Sequence, residues 1–434
     1  MNKYKTIIFL FFAFVISASA QELLTLQQAI EMALKNNYGI LVAKANADIA
    51  HNNNSYGNSG FMPLIQMTAS NNLSNANIKQ DYTTGLTIDR KGVQTTNITA
   101  APVLTWTLFD GLNMFATKEK FAQLQAQSEV GIKLEIENDL NRIITSYYNI
   151  VRQNQLIRAM YESVKVSEER IKIAEKKLEV GSASKLDLLQ AKVDLNTQKS
   201  NILKLKADLA YFKALLNQLI VRTNDTDFNV SDTIPLTYKV SYNDLKESIP
   251  KQSDSIQYAQ KNIFIAEQTL RQMTSLALPQ IAVNGTYNMS KTHSQAGLVL
   301  INQNLGFNGG FTLTWNLFNG FKTDILRRNA QQQIMITKFQ FDQTKKQIET
   351  SLLKAWNNYQ YAIEALQLET ENSAVARENL SIALERFRLG SASNVDINLA
   401  QQSFENAIAR FVQAGYDAKV AETSLMKLNG DLVK

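Results

Sequence analysis

The sequence predicts an α+β membrane protein made of a duplicated strand-strand-helix-helix unit, whose strands can close a barrel only by joining those of other copies. Three observations predict this. Motifs recur in order at a constant spacing. Two long stretches without proline carry seven-residue apolar repeats, and shorter segments alternate apolar with polar residues at period two.

The chain of 434 residues opens with Met1-Asn2-Lys3-Tyr4-Lys5, an apolar run from Ile7 to Ile16, and Ser17-Ala18-Ser19-Ala20-Gln21. This is the pattern of a secretory signal over residues 1–20, cleaved after Ala20. So short a run cannot cross a hydrocarbon core of about 30 Å as a helix. No later run approaches that length, so no transmembrane helix is expected, and a β-barrel stays open. Losing Lys3 and Lys5 from a formal net charge of +6 leaves a weakly basic chain. Its charges are scattered at helical spacing, which reads as a solvated surface and not as a nucleic-acid site.

Composition excludes several classes. Without cysteine there is no disulfide framework, thiolate metal site, Cys nucleophile or lipidated N-terminal Cys. His51 is expected in an N-terminal helix and His293 in a loop between strands, both solvated. No convergent set of His, Ser and carboxylates can be assembled, so neither an enzyme nor a cofactor or metal site is expected.

Leu104-Thr105-Trp106-Thr107-Leu108-Phe109-Asp110-Gly111 returns as Leu313-Thr314-Trp315-Asn316-Leu317-Phe318-Asn319-Gly320, an offset of 209. Gly181-Ser182-Ala183-Ser184 returns as Gly390-Ser391-Ala392-Ser393 at the same offset. Upstream the offset is 216, relating Pro63 to Pro279 and Glu31 to Glu247, so one loop is seven residues shorter in the second copy. The first repeat is placed at 21–221, a linker at 222–254, and the second repeat at 241–434.

Strands are expected at about 62–75 and 95–109, then at 279–290 and 305–318. Ile65 and Met67 alternate with Gln66 and Thr68; Leu104, Trp106 and Leu108 alternate with Thr105, Thr107 and Phe109. Ile281, Val283, Leu313 and Trp315 repeat the pattern. One apolar and one small polar face suit a strand between lipid and a wet lumen, so Ile65, Met67, Leu104, Trp106, Ile281, Val283, Leu313 and Trp315 are expected to face lipid. Four strands are too few for a membrane barrel, and open edges in lipid would leave N–H and C=O groups unpaired. A shared barrel of eight strands from two copies or twelve from three satisfies both constraints.

Helices are expected at about 112–180 and 184–221, and at 321–389 and 393–429. Ile136, Ile143, Ile150, Ile157, Val164, Ile171 and Leu178 recur every seven residues, as do Leu188, Leu195, Ile202, Leu209 and Leu216. The last helix carries Ile397, Phe404, Phe411, Ala418 and Leu425 beside Ala400, Ala407, Ala414 and Ala421. Such repeats predict paired, left-handed supercoiling with close backbones along the alanine row. Gly181 and Gly390 suit left-handed C-caps; Ser184 with Asp187, and Ser393 with Asp396, read as capping boxes.

The duplicated order, the Val180-Gly181 and Leu389-Gly390 turns with an aspartate six residues past each glycine, and the Leu-Phe-Asp-Gly and Leu-Phe-Asn-Gly junctions resemble the TolC family of outer-membrane efflux proteins, from Glu22 to Gly430. The resemblance implies a homotrimer with a 12-stranded β-barrel in outer-membrane lipid, continued by a long periplasmic α-helical barrel, in a Gram-negative bacterium. It implies a mixed belt, for which Arg222–Asp254 and the C-terminal tail are candidates. The implied function is a passive exit duct of a tripartite efflux or type I secretion system, docked to a periplasmic adaptor and, through it, an inner-membrane pump. The adaptor-docking turns would then be Lys177, Val180, Gly181, Ser182 and Ala183 with Arg386, Leu389, Gly390, Ser391 and Ala392. At the tunnel entrance Asp396 fills one acidic position of the family, while Leu399 stands where a second would be and Ala392 replaces a basic residue. Asp396 in three copies would form a like-charge ring; as a helix cap it would hardly face the lumen. A cell-surface coiled-coil structural or adhesive protein is the alternative, though a passive stalk needs no duplicated pair of strands.

Overall fold

The computed structural model describes residues 23–296 and 299–432; the expected signal segment lies outside the described residues. The elements are α1 (Leu26–Asn36), α2 (Tyr38–Asn53), β1 (Leu64–Asp81), β2 (Thr87–Phe109), α3 (Asn113–Glu179), α4 (Lys185–Leu219), α5 (Tyr242–Gln252), α6 (Asp254–Ser275), β3 (Gln280–Ser294), β4 (Ile301–Thr314), α7 (Lys322–Arg388) and α8 (Asn394–Asn429). They form two compact units, one of residues up to Ile40, Ile136–Leu245 and Leu352 onward, the other of Leu41–Glu135 and Lys246–Ser351.

The second of these units holds one antiparallel sheet in the order β1-β2-β3-β4. The register keeps the duplication: Ile65 stands opposite Leu104, and Ile281 opposite Leu313. The first hairpin is longer than the apolar alternation indicates, with β1 reaching Asp81 and β2 starting at Thr87. Asn, Ser and Thr dominate this stretch, so it pairs through its backbone without an apolar period to mark it. Two details correct the sequence reading. A bulge between Thr107 and Phe109 sets Phe109, not Leu108, opposite Ile281 in the apolar row. His293 lies inside β3, paired with Thr96 and Ile301, because pairing continues past the last apolar residue.

The other unit is built on the seven-residue repeats. Ile143, Ile150, Leu216 and Ile220 are buried together with Leu24, Ala29, Ala33, Phe228 and Val230. Toward the end of α3 the buried positions shift to Ile173 and Ala174, the drift expected of 3.6 residues per turn against a period of seven. The alanine row of α8 is buried, and Ala418 and Ala421 pack on Ala362 of α7. The segment after α4 is tied down at two places. Leu24 N–H donates to Asn229 O at 2.9 Å, and the fully buried Glu422 carboxylate accepts the N–H groups of Thr237 and Tyr238, each at 2.7 Å. Lys419 Nζ, 2.6 Å from Glu422, also donates to Pro235 O at 2.9 Å.

Candidate functional site

The sheet has two chemically distinct faces. Ile65, Met67, Trp106, Phe307, Phe311 and Leu313 are exposed on one, while Leu104, Ile281 and Val283 of the same rows are half-buried by their neighbours. On the other face small polar side chains bond across strands: Ser70 Oγ to Thr99 Oγ1 at 2.7 Å, Thr95 Oγ1 to Ser294 Oγ at 3.2 Å, Thr292 Oγ1 to Asn97 Oδ1 at 3.1 Å, and Asn284 Nδ2 to Thr312 Oγ1 at 3.0 Å. A face that satisfies its own polar groups yet offers more to water suits an aqueous lumen; its reverse suits lipid. Among the described residues, β1 and β4 each have one edge without a pairing strand. No described helix is long and apolar enough to cross a membrane.

Trp106 and Trp315 close their own repeats in the same way. Trp106 Nε1 donates to Phe61 O at 2.9 Å, and Trp315 Nε1 to Ala277 O at 3.1 Å. Each ring thus has an apolar body on the lipid-suited face and a satisfied donor at the strand end, the arrangement favoured at a membrane interface.

The two helical turns are near copies. Gly181 (φ 74) and Gly390 (φ 81) are left-handed, and Ser182 N–H donates to Lys177 O at 2.8 Å as Ser391 N–H does to Arg386 O at 2.9 Å. These bonds close the helix ends as Schellman motifs. They leave Val180 and Leu389 as the most exposed apolar residues there, about 78% and 80% accessible. Lys177 Nζ donates to Phe387 O and lies 4.2 Å from the Phe387 ring, joining the ends of α3 and α7. Ser182 and Ser391 turn their hydroxyls back onto the carbonyls of Lys177 and Arg386 yet stay exposed with Gly181 and Gly390, while Ala183 and Ala392 are half-buried. An open groove of about 600 Å³ beside the turns is lined by Glu169, Lys172, Ile173, Lys176, Lys177 and Arg388.

Asp396 completes a capping box: Ser393 N–H donates to its carboxylate at 2.8 Å, Ser393 Oγ–H at 2.8 Å, and Asp396 N–H returns a bond to Ser393 Oγ at 3.2 Å. The bond from the Ser393 backbone, then that from its hydroxyl, holds the carboxyl below its ordinary range. Leu399, one turn on, is exposed with it.

Sequence reading missed a buried polar cluster joining α3, α4 and α8. Arg170, 1% exposed, donates to Gln401 Oε1 at 2.9 Å, Asn394 Oδ1 at 2.8 Å and Asp194 Oδ2 at 3.2 Å. Gln401 Nε2 in turn reaches Ser167 Oγ at 2.7 Å, and Gln198 Nε2 reaches Glu405 at 2.7 Å. Burial lowers the Arg170 pKa, opposed by the Asp194 charge. The available signal was polar: Ser163 and Arg170, Asn394 and Gln401, and Asn398 and Glu405 are each seven residues apart.

The model of outer membrane efflux proteins matches residues 29–220 and 247–431. The chain belongs to the outer membrane efflux protein family. Among curated relatives, this efflux protein is 22% identical over 413 residues to the outer membrane efflux protein BepC of Brucella suis biovar 1 (strain 1330), covering 94% of this chain and 85% of BepC. Solved structures share its fold. VceC of Vibrio cholerae superposes with a TM-score of 0.75 at 16% identity, over 93% of this chain and 96% of VceC. The Campylobacter jejuni CmeC channel gives 0.74 at 17%, over 94% and 85%, and the open-state Neisseria gonorrhoeae MtrE channel 0.71 at 14%, over 94% and 89%. This efflux protein is therefore an outer-membrane duct with the TolC-like fold, and family and fold alike are those of channels. The family assignment favours the duct over a surface stalk.

Proposed function

We propose that three copies of this chain close a twelve-stranded barrel and form the passive outer-membrane exit of a tripartite efflux system. One observation carries this: a four-stranded sheet with both edges free, apolar on one face and hydrogen-bonded small polar groups on the other. Free edges in lipid leave N–H and C=O groups unpaired, so the sheet must be continued by another sheet, and twelve strands from three chains exceed the eight whose interior side chains can fill, which leaves room for a lumen. The name of BepC, an efflux protein, favours efflux over protein secretion for this chain as well.

Energy then comes from an inner-membrane pump, and this chain supplies width and lining chemistry. A periplasmic adaptor docks on the two turns, through Val180, Ser182 and Ala183 and through Leu389, Ser391 and Ala392, with Lys177 and Arg386 holding the turns and the neighbouring groove taking a charged flank. Asp396 and Leu399 line the entrance, and Ile65, Met67, Leu104, Trp106, Ile281, Val283, Leu313 and Trp315 face lipid. Native mass measurement in detergent, followed by single-channel recording of the same sample, tests the duct: a trimer that conducts is expected, and a stable monomer overturns it. Cross-linking from Val180 and Leu389 in cells should capture the adaptor.

A further inference from the structure

The sheet face suited to water is uncharged along most of its length. Side chains that share it with Ser70 and Thr99 are the alternate positions of β1 from Gln66 to Ser74, of β2 from Thr95 to Thr107, of β3 from Gln280 to Ser294 and of β4 from Asn302 to Thr314. They are Ser, Thr, Asn and Gln with a few Ala, Val and Gly, and none is Asp, Glu, Lys or Arg.

At the end of the sheet away from the helices this face changes. Pairing of β2 with β3 stops at Thr95 and Ser294, while β1 and β2 run on together to Asp81 and Thr87. Between Ala76 and Ile78 the register shifts by one extra residue on β2, where Gly92 (φ +68) is left-handed and its N–H donates to Asn77 Oδ1 at 2.9 Å. β1 itself is unbroken, so Ala76 and Ile78 stay on the face of Ser70, and pairing sets Val93 and Arg90 beside them. Arg90 is exposed there, and its Nη1 donates to Gln295 O at 3.1 Å, across the end of β3. The other charged residues of this ribbon are Lys79, Asp81, Asp89 and Lys91, two of each sign, and Lys79 stands opposite Asp89 on the reverse face. Arg90 is thus the one charge on the water-suited face among the described strands, and it stands among the apolar Ala76, Ile78 and Val93. Such surroundings screen a charge less than water does and focus its field.

We infer that Arg90 sets the charge preference of the exit: its copies form a cationic collar on the lumen side of the outer mouth. Anionic groups are drawn through it and cationic groups are held back. This role rests on the duct reading above and adds to it a class of solute. Gln295 O takes one N–H of the guanidinium, which fixes the side chain over the end of β3 and leaves the rest of the fork free for carboxylate, sulfate or phosphate oxygens.

Because the chain has no cysteine, one introduced thiol reports the local potential without background. Ala76→Cys places it on the same face, two residues from Ile78, the partner of Arg90. Thr312→Cys is the control at the other end of that face, roughly 50 Å away along the strands and far beyond the Debye length of about 10 Å at 0.1 M salt. Each thiol is reacted, in the full chain in detergent, with thiosulfonates bearing a sulfonate or a trimethylammonium group, and the same samples are recorded in planar bilayers. At Ala76→Cys the ratio of anionic to cationic reaction rate should fall at least about threefold on Arg90→Gln and hold on Arg90→Lys. At Thr312→Cys neither change should move it. The reversal potential in a salt gradient should shift toward cations in Arg90→Gln alone. Glutamine can still donate to Gln295 O, so a ratio that falls with Arg90→Gln follows the charge and not the clamp. Conducting channels whose ratio is unchanged by Arg90→Gln, or lowered equally by Arg90→Lys, overturn the collar and leave the duct standing. An unmodified chain that does not conduct removes the duct, and the collar with it.

Discussion

Replacing Arg170 by Met should loosen the contact of α8 with α3 and α4 by about 3 kcal/mol. The guanidinium is 1% exposed and serves three acceptors on two other helices. Its loss orphans Gln401 Oε1 in a site that is 2% exposed, which costs about 1–3 kcal/mol. Asp194 suffers less, because it keeps bonds from Asn398 Nδ2 at 2.8 Å and Gln190 Nε2 at 2.9 Å and is partly wetted. The total falls at the lower end of the range of about 3–5 kcal/mol for breaking a buried ion pair. Unfolding of a chain of 434 residues in two compact units is not two-state, so the assay is amide hydrogen exchange over residues around Arg170 on α3 and Gln401 on α8. A loss of about 3 kcal/mol corresponds to exchange roughly 100- to 200-fold faster through local opening. Arg170→Lys should rescue little, since one ammonium cannot span three acceptors held in a fork. Exchange accelerated less than about fivefold in Arg170→Met would refute the reasoning.

Phe311→Arg, on the lipid-suited face and four residues inward from Trp315 at the interface, should destabilise the membrane-inserted state by about 2–4 kcal/mol, measured by folding into lipid vesicles. Thr312→Arg, on the polar face, should be far milder and should shift ion selectivity instead. Bulky Ser182→Trp and Ser391→Trp should leave oligomers assembled but reduce co-purification of the adaptor; unchanged co-purification and efflux would exclude docking at these turns. Asp396 is held below its ordinary pKa by Ser393, so its capping contribution is full above the unfolded carboxylate pKa and is lost as pH falls through the lower folded value. Exchange at the start of α8 should therefore rise in acid in the native chain and lose that dependence in Asp396→Asn, while a fall in cation selectivity in the same variant would place the carboxylate on the conducting path.

Most of the helical architecture was legible because its cause is periodic. Ile143 and Ile150 are buried because a seven-residue repeat leaves them on one seam, and Gly181 and Gly390 end their helices because only left-handed backbone satisfies the last carbonyls there. Strand faces were legible wherever apolar residues alternate, as at Ile65 and Met67. Strand ends were not: from Asn71 to Thr96 the sequence is mostly polar on both faces, so backbone pairing carries the hairpin with no side-chain signature, and His293 is swept into β3 by the same pairing. The bulge beside Phe109 was invisible because a strict period of two has no place for an extra residue. The Arg170 cluster escaped for a different reason. Its members come from three helices, and only their packing brings Asp194 to Arg170.

In the proposed trimer the two seams of the duplication, α6 on α3 within a chain and its counterpart of α2 on α7 between copies, face different thermodynamic demands, and their sequences differ accordingly. Inside one chain, α6 and α3 are tethered, so their contact need only orient them. Gln127 with Asn262, and Gln272 with Thr117, do this with hydrogen bonds that contribute modestly in net free energy. Between copies the same contact must also offset the loss of translational and rotational freedom, on the order of 4–15 kcal/mol per association. Hydrogen bonds exchanged with water are a poor source for that, and buried apolar area is a good one. The positions that correspond by the duplication have changed in the required direction: Gln127 becomes Ile336, Thr117 becomes Leu326, and Gln272 becomes Tyr56. Ile336 and Tyr56 are exposed in the single chain, where Tyr56 is held only along one side by Phe61 and Lys118. A pair of substitutions returning them to the intrachain chemistry, Ile336→Gln with Tyr56→Gln, should therefore leave the fold of each chain intact by circular dichroism while shifting trimer to monomer at a higher protein concentration than the native chain.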